Sequence, residues 1–287
     1  MFVRGEKRKE YHRMHLFNKF MRIEFKNLFY DKNKYDYYIC GSDQVWNPWW
    51  GGSEFWFAAF APSSKRVSYA ASFGVSQIPQ DKKCDYIRFL NGMKAISVRE
   101  NSGADIVRSL TGREALVDPT MVLSRDEWKR VEKKPKYIKN KNYVLVYFLG
   151  EMQDCVKRYI NNICTVYNLD LINLEPLNTN RYWYETGPSE FIWLIENCKL
   201  VLTDSFHGTV FSVLMDVPFI VFDRVGIADS MKSRIDTLLS TLKLEDRRFN
   251  DQSGDDIFKC EYRHVGEILE KEKEKAANFL KRAMELS

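Results

Sequence analysis

The residues of this sequence with the most evident chemistry stand where apolar runs stop. His207 lies in TDSFHGT, after the run LVL and before an apolar stretch of helical composition. An imidazole titrates near working pH and can give or take a proton. Asp204 or Ser205 can cap the helix that follows, Gly208 leaves room for close backbone approach, and Thr209 adds a hydroxyl. A helix start carries free N–H groups and the positive end of a dipole, so it attracts anions. A cap with a histidine bound to a neighbouring carbonyl fits the same residues.

A second group follows the apolar run YDYYIC. In GSDQVWNPWWGG, Gly41 and Ser42 can form an anion-friendly turn, and Asp43 can accept hydrogen bonds from sugar hydroxyls. Asn47 brings a donor and an acceptor. Trp46, Trp49 and Trp50 offer flat faces to sugar rings, although a tryptophan-rich loop also serves as a packed lid. Arg99 ends the strand in SVRE, and its planar fork suits phosphate or carboxylate. A structural contact to Glu100 or Asp118 is the alternative. Asp118-Pro119 reads as a turn that closes a strand.

These residues need elements to carry them. YDYYIC, KRVSYAAS, AISV and EALV read as short strands, with helices over PQDKKCDYIRFLNGM and SGADIVRSL between them. The alternation predicts right-handed βαβ units in a parallel sheet. It is preceded by a basic, helix-like segment from about residue 7 to 30 with Leu16, Phe17, Phe20, Ile23, Phe25, Leu28 and Phe29 at helical spacing. SRDEWKRVEKKPKYIKNKN is polar and basic, with Ser124 as a cap, and reads as a connection. Strands YVLVYFLG, DLINLE, KLVLTD and PFIVFD then alternate with helices over DCVKRYINNICTVYN, SEFIWLIENC and about 208–216. A charged helix runs from Val265 onward. The expected organisation is α/β, two Rossmann-like lobes with parallel sheets: 1–123, a connecting segment 124–142, a second lobe 143–260 and a terminal helix 261–287.

The 287 residues carry a net charge of +5, which suits an anionic substrate or an acidic lipid surface and falls short of a nucleic-acid footprint. No RRM, KH or zinc-finger pattern surrounds the basic residues. Six cysteines without a close pair read as reduced and structural, and no metal site is expected. With no signal-like opening and no apolar run of membrane-spanning length, a cytoplasmic protein is expected. Any membrane contact through Lys133–Lys141 would be weak and peripheral.

GSDQVWNP, SYAASFG, SVRE, VDPT and TDSFHGTVFS occur in an order and at spacings that resemble the polysaccharide pyruvyl transferase family, from about Tyr35 to Arg224. The resemblance implies a GT-B-like fold with an active site in an interlobe cleft, an acceptor-side first lobe and a donor-side second lobe. It implies transfer of the enolpyruvyl unit of phosphoenolpyruvate, a co-substrate rather than a cofactor, onto a saccharide or lipid-linked glycan at the inner face of the membrane. His207 then matches the general acid and Arg99 a donor-binding arginine, with Ser205, Gly208 and Thr209 at the helix start. The sequence departs from the family pattern in two places. Ser205 stands where many members have arginine, which leaves Arg224, Arg181 or Lys232 as substitute cations. The first lobe also lacks the usual opening strand–turn–helix unit. A catalytically silent glycan-binding relic and a nucleotide-sugar glycosyltransferase of the same fold are the alternatives.

Overall fold

A computed structural model describes residues 12–17, 19–20, 35–49, 52–118, 121–174, 181–225, 232–250 and 255–286. Trp50, Pro119, Thr120, the Arg181 side chain and most of the expected opening helix lie outside them. The chain forms an α/β fold with parallel sheets, divided into two compact units.

One unit comprises Lys26–Val122, Ile227–Glu245 and His264–Ser287. Strand β1 (Tyr38–Cys40) pairs in parallel with β2 (Arg66–Ser68), in the register Ile39 to Val67. Strands β3 (Ser97–Val98) and β4 (Leu116–Val117) form a second parallel pair. Parallel bridges from Val67 to Ala95 and from Ala71 to Val98 join β2 to the β3 side. Helices α2 (Lys83–Asn91) and α3 (Asn101–Thr111) supply the crossovers and pack on each other. The core is aromatic: Trp46, Phe57, Phe73, Tyr86 and Phe89 bury against Leu90, Val98 and Val107. Two later helices return to this unit, α9 (Lys232–Leu242) and α10 (Arg263–Ala283), the latter from His264 onward. Ile235, Leu238, Leu239 and Leu242 give α9 its buried stripe, at the spacing that puts residues on one helix face.

The other unit comprises the described residues of Met1–Phe25 together with Leu123–Gly226 and Asp246–Arg263. Its four parallel strands run in the order β6 (Asp170–Asn173), β5 (Tyr143–Tyr147), β7 (Leu200–Thr203) and β8 (Phe219–Val221). Val144, Val146, Leu200, Leu202 and Ile220 form the inner layer, with Ile160 and Ile163 of α5 (Asp154–Val166) against them. Every residue of β7 is buried, which explains its unbroken apolar run. Helix α7 (Pro188–Asn197) starts with its proline in the first turn, and α8 (Phe206–Leu214) follows β7.

The basic stretch expected as a connection carries a short helix, α4 (Arg125–Lys129), within this unit. Ser124 caps it: Glu127 N donates to Ser124 Oγ, and the Glu127 carboxylate accepts from Ser124 N at 2.8 Å. The opening segment is helical at residues 12–17 and 19–20, here α1. A short helix α6 (Arg181–Glu185) stands between β6 and α7. Among the described residues no helix is long and apolar enough to cross a membrane.

Candidate functional site

Strand β7 ends at Thr203, and the chain turns through Asp204 and Ser205 into α8. Ser205 is the N-cap, and its hydroxyl accepts from Gly208 N at 3.4 Å. Helix α8 begins two residues earlier than its apolar pattern suggests, so His207 falls in the first turn. It is exposed, whereas Asp204, Ser205, Phe206, Gly208 and Thr209 are all buried. A solvent-facing imidazole on an otherwise buried helix start can meet a ligand and pass it a proton.

The turn beneath His207 is rigid. Asp204 accepts from Leu149 N at 2.7 Å and Gly150 N at 2.8 Å, beyond the end of β5. Arg224, three residues past β8, donates through Nε to Asp204 Oδ2 at 2.9 Å and through Nη2 to the Asp204 carbonyl at 3.1 Å. Three strand ends are tied together by this one carboxylate. Arg224, expected as a substitute cation for the donor, is thus committed to Asp204.

Gly208 and Thr209 also face the protein. A Cβ on Gly208 would meet Thr203 Oγ1 at 2.5 Å, so the glycine permits close packing of helix on strand. Thr209 donates its hydroxyl to the Ser205 carbonyl at 3.1 Å, a back-bond within the helix. Thr203 Oγ1 donates to the Tyr147 carbonyl at 2.6 Å and accepts from Ser205 N at 3.0 Å. The expected donor residues around His207 therefore build the platform that presents it.

In the other unit the strand ends gather Asp43, Ser72, Arg99, Glu100 and Asp118. Gly41 has a positive φ of 120°, and a Cβ there would run into the Tyr69 carbonyl oxygen. It turns the chain sharply past β2 and lifts Ser42, which is half-buried, and Asp43, which is exposed. Arg99 is only 2% exposed, and its Nη1 donates to Asp43 Oδ1 at 3.3 Å. Burial lowers the pKa of Arg99, against the opposing carboxylates of Asp43, Glu100 and Asp118.

Glu100 is fully buried, and its Oε1 accepts from Ser72 Oγ, Phe73 N and Gly74 N at 2.9–3.2 Å. Burial raises its pKa, while the charges of Arg234 and Arg99 and these hydrogen bonds pull it down. Arg234 arrives on α9. With the Gln44 amide turned to satisfy its partners, the Gln44 oxygen accepts from both terminal Arg234 nitrogens at 2.6 and 2.8 Å. Arg99 is thus the centre of a buried charge cluster, and Asp43 is the member that reaches solvent.

The tryptophans divide. Trp46 is wholly buried, stacked 4.7 Å from Phe57 with its ring nitrogen donating to the Trp56 carbonyl. It has no face left for a sugar. Asn47 is 1% exposed, its amide 3.1 Å from that of Gln44 and its Oδ1 accepting from Trp49 N. Both residues shape the loop from inside. Trp49 is 68% exposed with Lys82 Nζ 5.6 Å from its ring, so it is the described tryptophan of this loop that can stack on a ligand.

Four contributors escape a reading of motifs alone. Arg234 and Gln44 meet only through α9, although the Ile235–Leu242 spacing does signal a helix. Tyr147 pairs in register with Thr203, beside the His207 turn. Arg13, in α1, lies over the Trp183 ring at 3.3 Å, and nothing in the local sequence points to it.

A family model described as polysaccharide pyruvyl transferase matches residues 3–224. No curated protein and no solved structure matches the chain.

Proposed function

The chain belongs to the polysaccharide pyruvyl transferase family, and from that membership we propose that it transfers the enolpyruvyl unit of phosphoenolpyruvate to a saccharide, forms a pyruvate ketal and releases phosphate. The observation that carries this reading is His207, exposed in the first turn of a buried helix on a turn clamped by Asp204.

The chemistry asks for one proton donor at a defined place. His207 protonates the methylene carbon of the enolpyruvyl group, which leaves C2 electrophilic. One sugar hydroxyl adds to C2 and loses its proton. The C2–O bond to phosphate then breaks, and a second hydroxyl closes the ketal as its proton leaves. Each turnover consumes two hydroxyl groups and one phosphoenolpyruvate, and yields one ketal and one phosphate. A positioned acid of this kind contributes about two to four orders of magnitude in rate.

Asp43 and Ser42, at the end of β1, are the acceptor-side residues in this reading. The Arg99 pair fixes Asp43 while leaving its carboxylate largely solvent-exposed, and Trp49 supplies an aromatic face. The acceptor is a glycan or a lipid-linked precursor at the cytoplasmic face of the membrane.

The test is phosphate release from phosphoenolpyruvate over a panel of acceptor glycans, with product masses measured. The expected product is heavier than its acceptor by one pyruvate less one water. A protein that binds glycan across the panel and never consumes phosphoenolpyruvate is a binding protein, and the proposal fails.

A further inference from the structure

Arg13 stands in an unusual environment for a cation. Its Nη1 donates to the carbonyl oxygens of Trp183 at 2.6 Å and Thr186 at 3.4 Å. Its guanidinium carbon sits 3.3 Å from the Trp183 ring centroid. Among the described residues these are its partners, and none is a carboxylate. Burial lowers its pKa, opposed only by the phenols of Tyr147 and Tyr184. A partly desolvated charge that meets only dipoles and a ring face gains strongly from an incoming anion. The stack and the carbonyl bonds also fix the fork in place, so little side-chain entropy remains to be lost on binding.

Its location gives that anion an identity. The charge of Arg13 bears on Tyr147, which ends β5 and lies opposite Thr203 in the β5–β7 register. The Tyr147 phenol also interacts with the Ser205 hydroxyl, at the cap of the helix that carries His207. Arg13 is therefore brought to the same strand edge as His207 by an element from the opposite end of the sequence. Arg224, another arginine of this edge, has its Nε and Nη2 on Asp204.

We infer that Arg13 binds the anionic group, phosphate or carboxylate, of the donor that His207 protonates, so that α1 completes the donor side of the site. The inference rests on the pyruvyl transfer reading for the identity of the donor. Arg13 is a positioning residue: it holds the donor and leaves the proton to His207.

The test uses the full chain and titrates inorganic phosphate and phosphoenolpyruvate separately into the parent, Arg13→Lys and Arg13→Met. The methionine keeps bulk over Trp183 and removes the charge. We expect Arg13→Met to bind both ligands at least tenfold more weakly, with a shallower dependence on salt, and Arg13→Lys to fall between. In turnover the KM for phosphoenolpyruvate rises at least tenfold while kcat changes less. Arg13→Lys also keeps the assay readable if the methionine variant does not fold. A purely structural Arg13, closing the last turn of α6, lowers the melting temperature and leaves both titrations unchanged, which overturns the inference. So does a parent protein that binds neither ligand. Arg13-dependent binding without product on any acceptor retains the inference and removes the proposed reaction. Phosphoenolpyruvate turnover with an unaltered KM in Arg13→Met does the reverse.

Discussion

The Asp204 carboxylate and the Arg224 guanidinium meet at 2.9 Å, with side-chain exposures of 1% and 12%. Asp204 also holds two backbone N–H groups from the loop after β5. This pair sits directly beneath the turn that presents His207, and it fixes that turn from three strand ends at once. Positioning of this kind fixes the backbone from which the exposed imidazole projects.

Asp204→Asn should therefore damage stability and activity together. It leaves a nearly buried guanidinium without its counter-charge, at a cost of roughly 3–5 kcal/mol, the range for breaking a buried pair. Chemical denaturation read alongside turnover checks this. A variant as stable as the parent would mean that Asp204 is merely one acceptor among several.

His207→Gln removes the proposed proton donor without touching the cap, which belongs to Ser205. Turnover should fall by about two to four orders of magnitude while phosphoenolpyruvate binding and melting temperature stay near the parent. Equal turnover in the two proteins would remove His207 from the mechanism.

Arg99→Leu tests whether the second charge cluster is architecture. Arg99 is buried beside Asp43, Glu100 and Asp118, so its loss strands carboxylates in the interior. The expected cost is again roughly 3–5 kcal/mol. Arg99→Lys keeps the charge but not the planar fork, and should recover part of it. Should Arg99→Leu retain full stability and lose only donor affinity, Arg99 is a ligand-binding residue.

A further prediction concerns pH and lies away from the proposed chemistry. The Glu132 carboxyl is pushed up to about 7 by burial and by the neighbouring Glu196 carboxylate, which Arg125 and Lys129 hold at 3.3 and 2.7 Å. The folded chain then binds this proton more tightly than the unfolded chain does. Stability should decline as pH rises from the ordinary carboxyl value through about 7 and level off above it. Glu132→Gln mimics the protonated form, so its melting temperature should match the parent near pH 5 and exceed it near pH 8. Parallel melting curves across that range would exclude a raised Glu132 carboxyl.

The local pattern of the sequence determined the strand ends. Apolar runs such as LVLT and YIC bounded by polar residues place His207, Arg99, Asp43 and Asp118 after parallel strands, because a buried strand must stop where its side chains turn polar. The Ser124 cap and the helical segments between strands follow from equally local rules. The motif order also carried the family, which the match over residues 3–224 bears out.

Only the tertiary structure decided what each of those residues meets. Trp46 and Trp49 are three positions apart in one loop, yet one is wholly buried and the other 68% exposed. No local rule separates them, because burial depends on Phe57 and Phe73 arriving from other segments. Arg99 found Asp43, 56 residues away, and Gln44 found Arg234 through a helix from near the other end of the chain. Arg13 reached the His207 unit in the same manner, across 170 residues to Trp183. Charged and aromatic side chains can each satisfy several kinds of partner, so spacing along the chain leaves the choice open. Packing makes that choice, because burying a polar group without a partner costs more than the fold can spare.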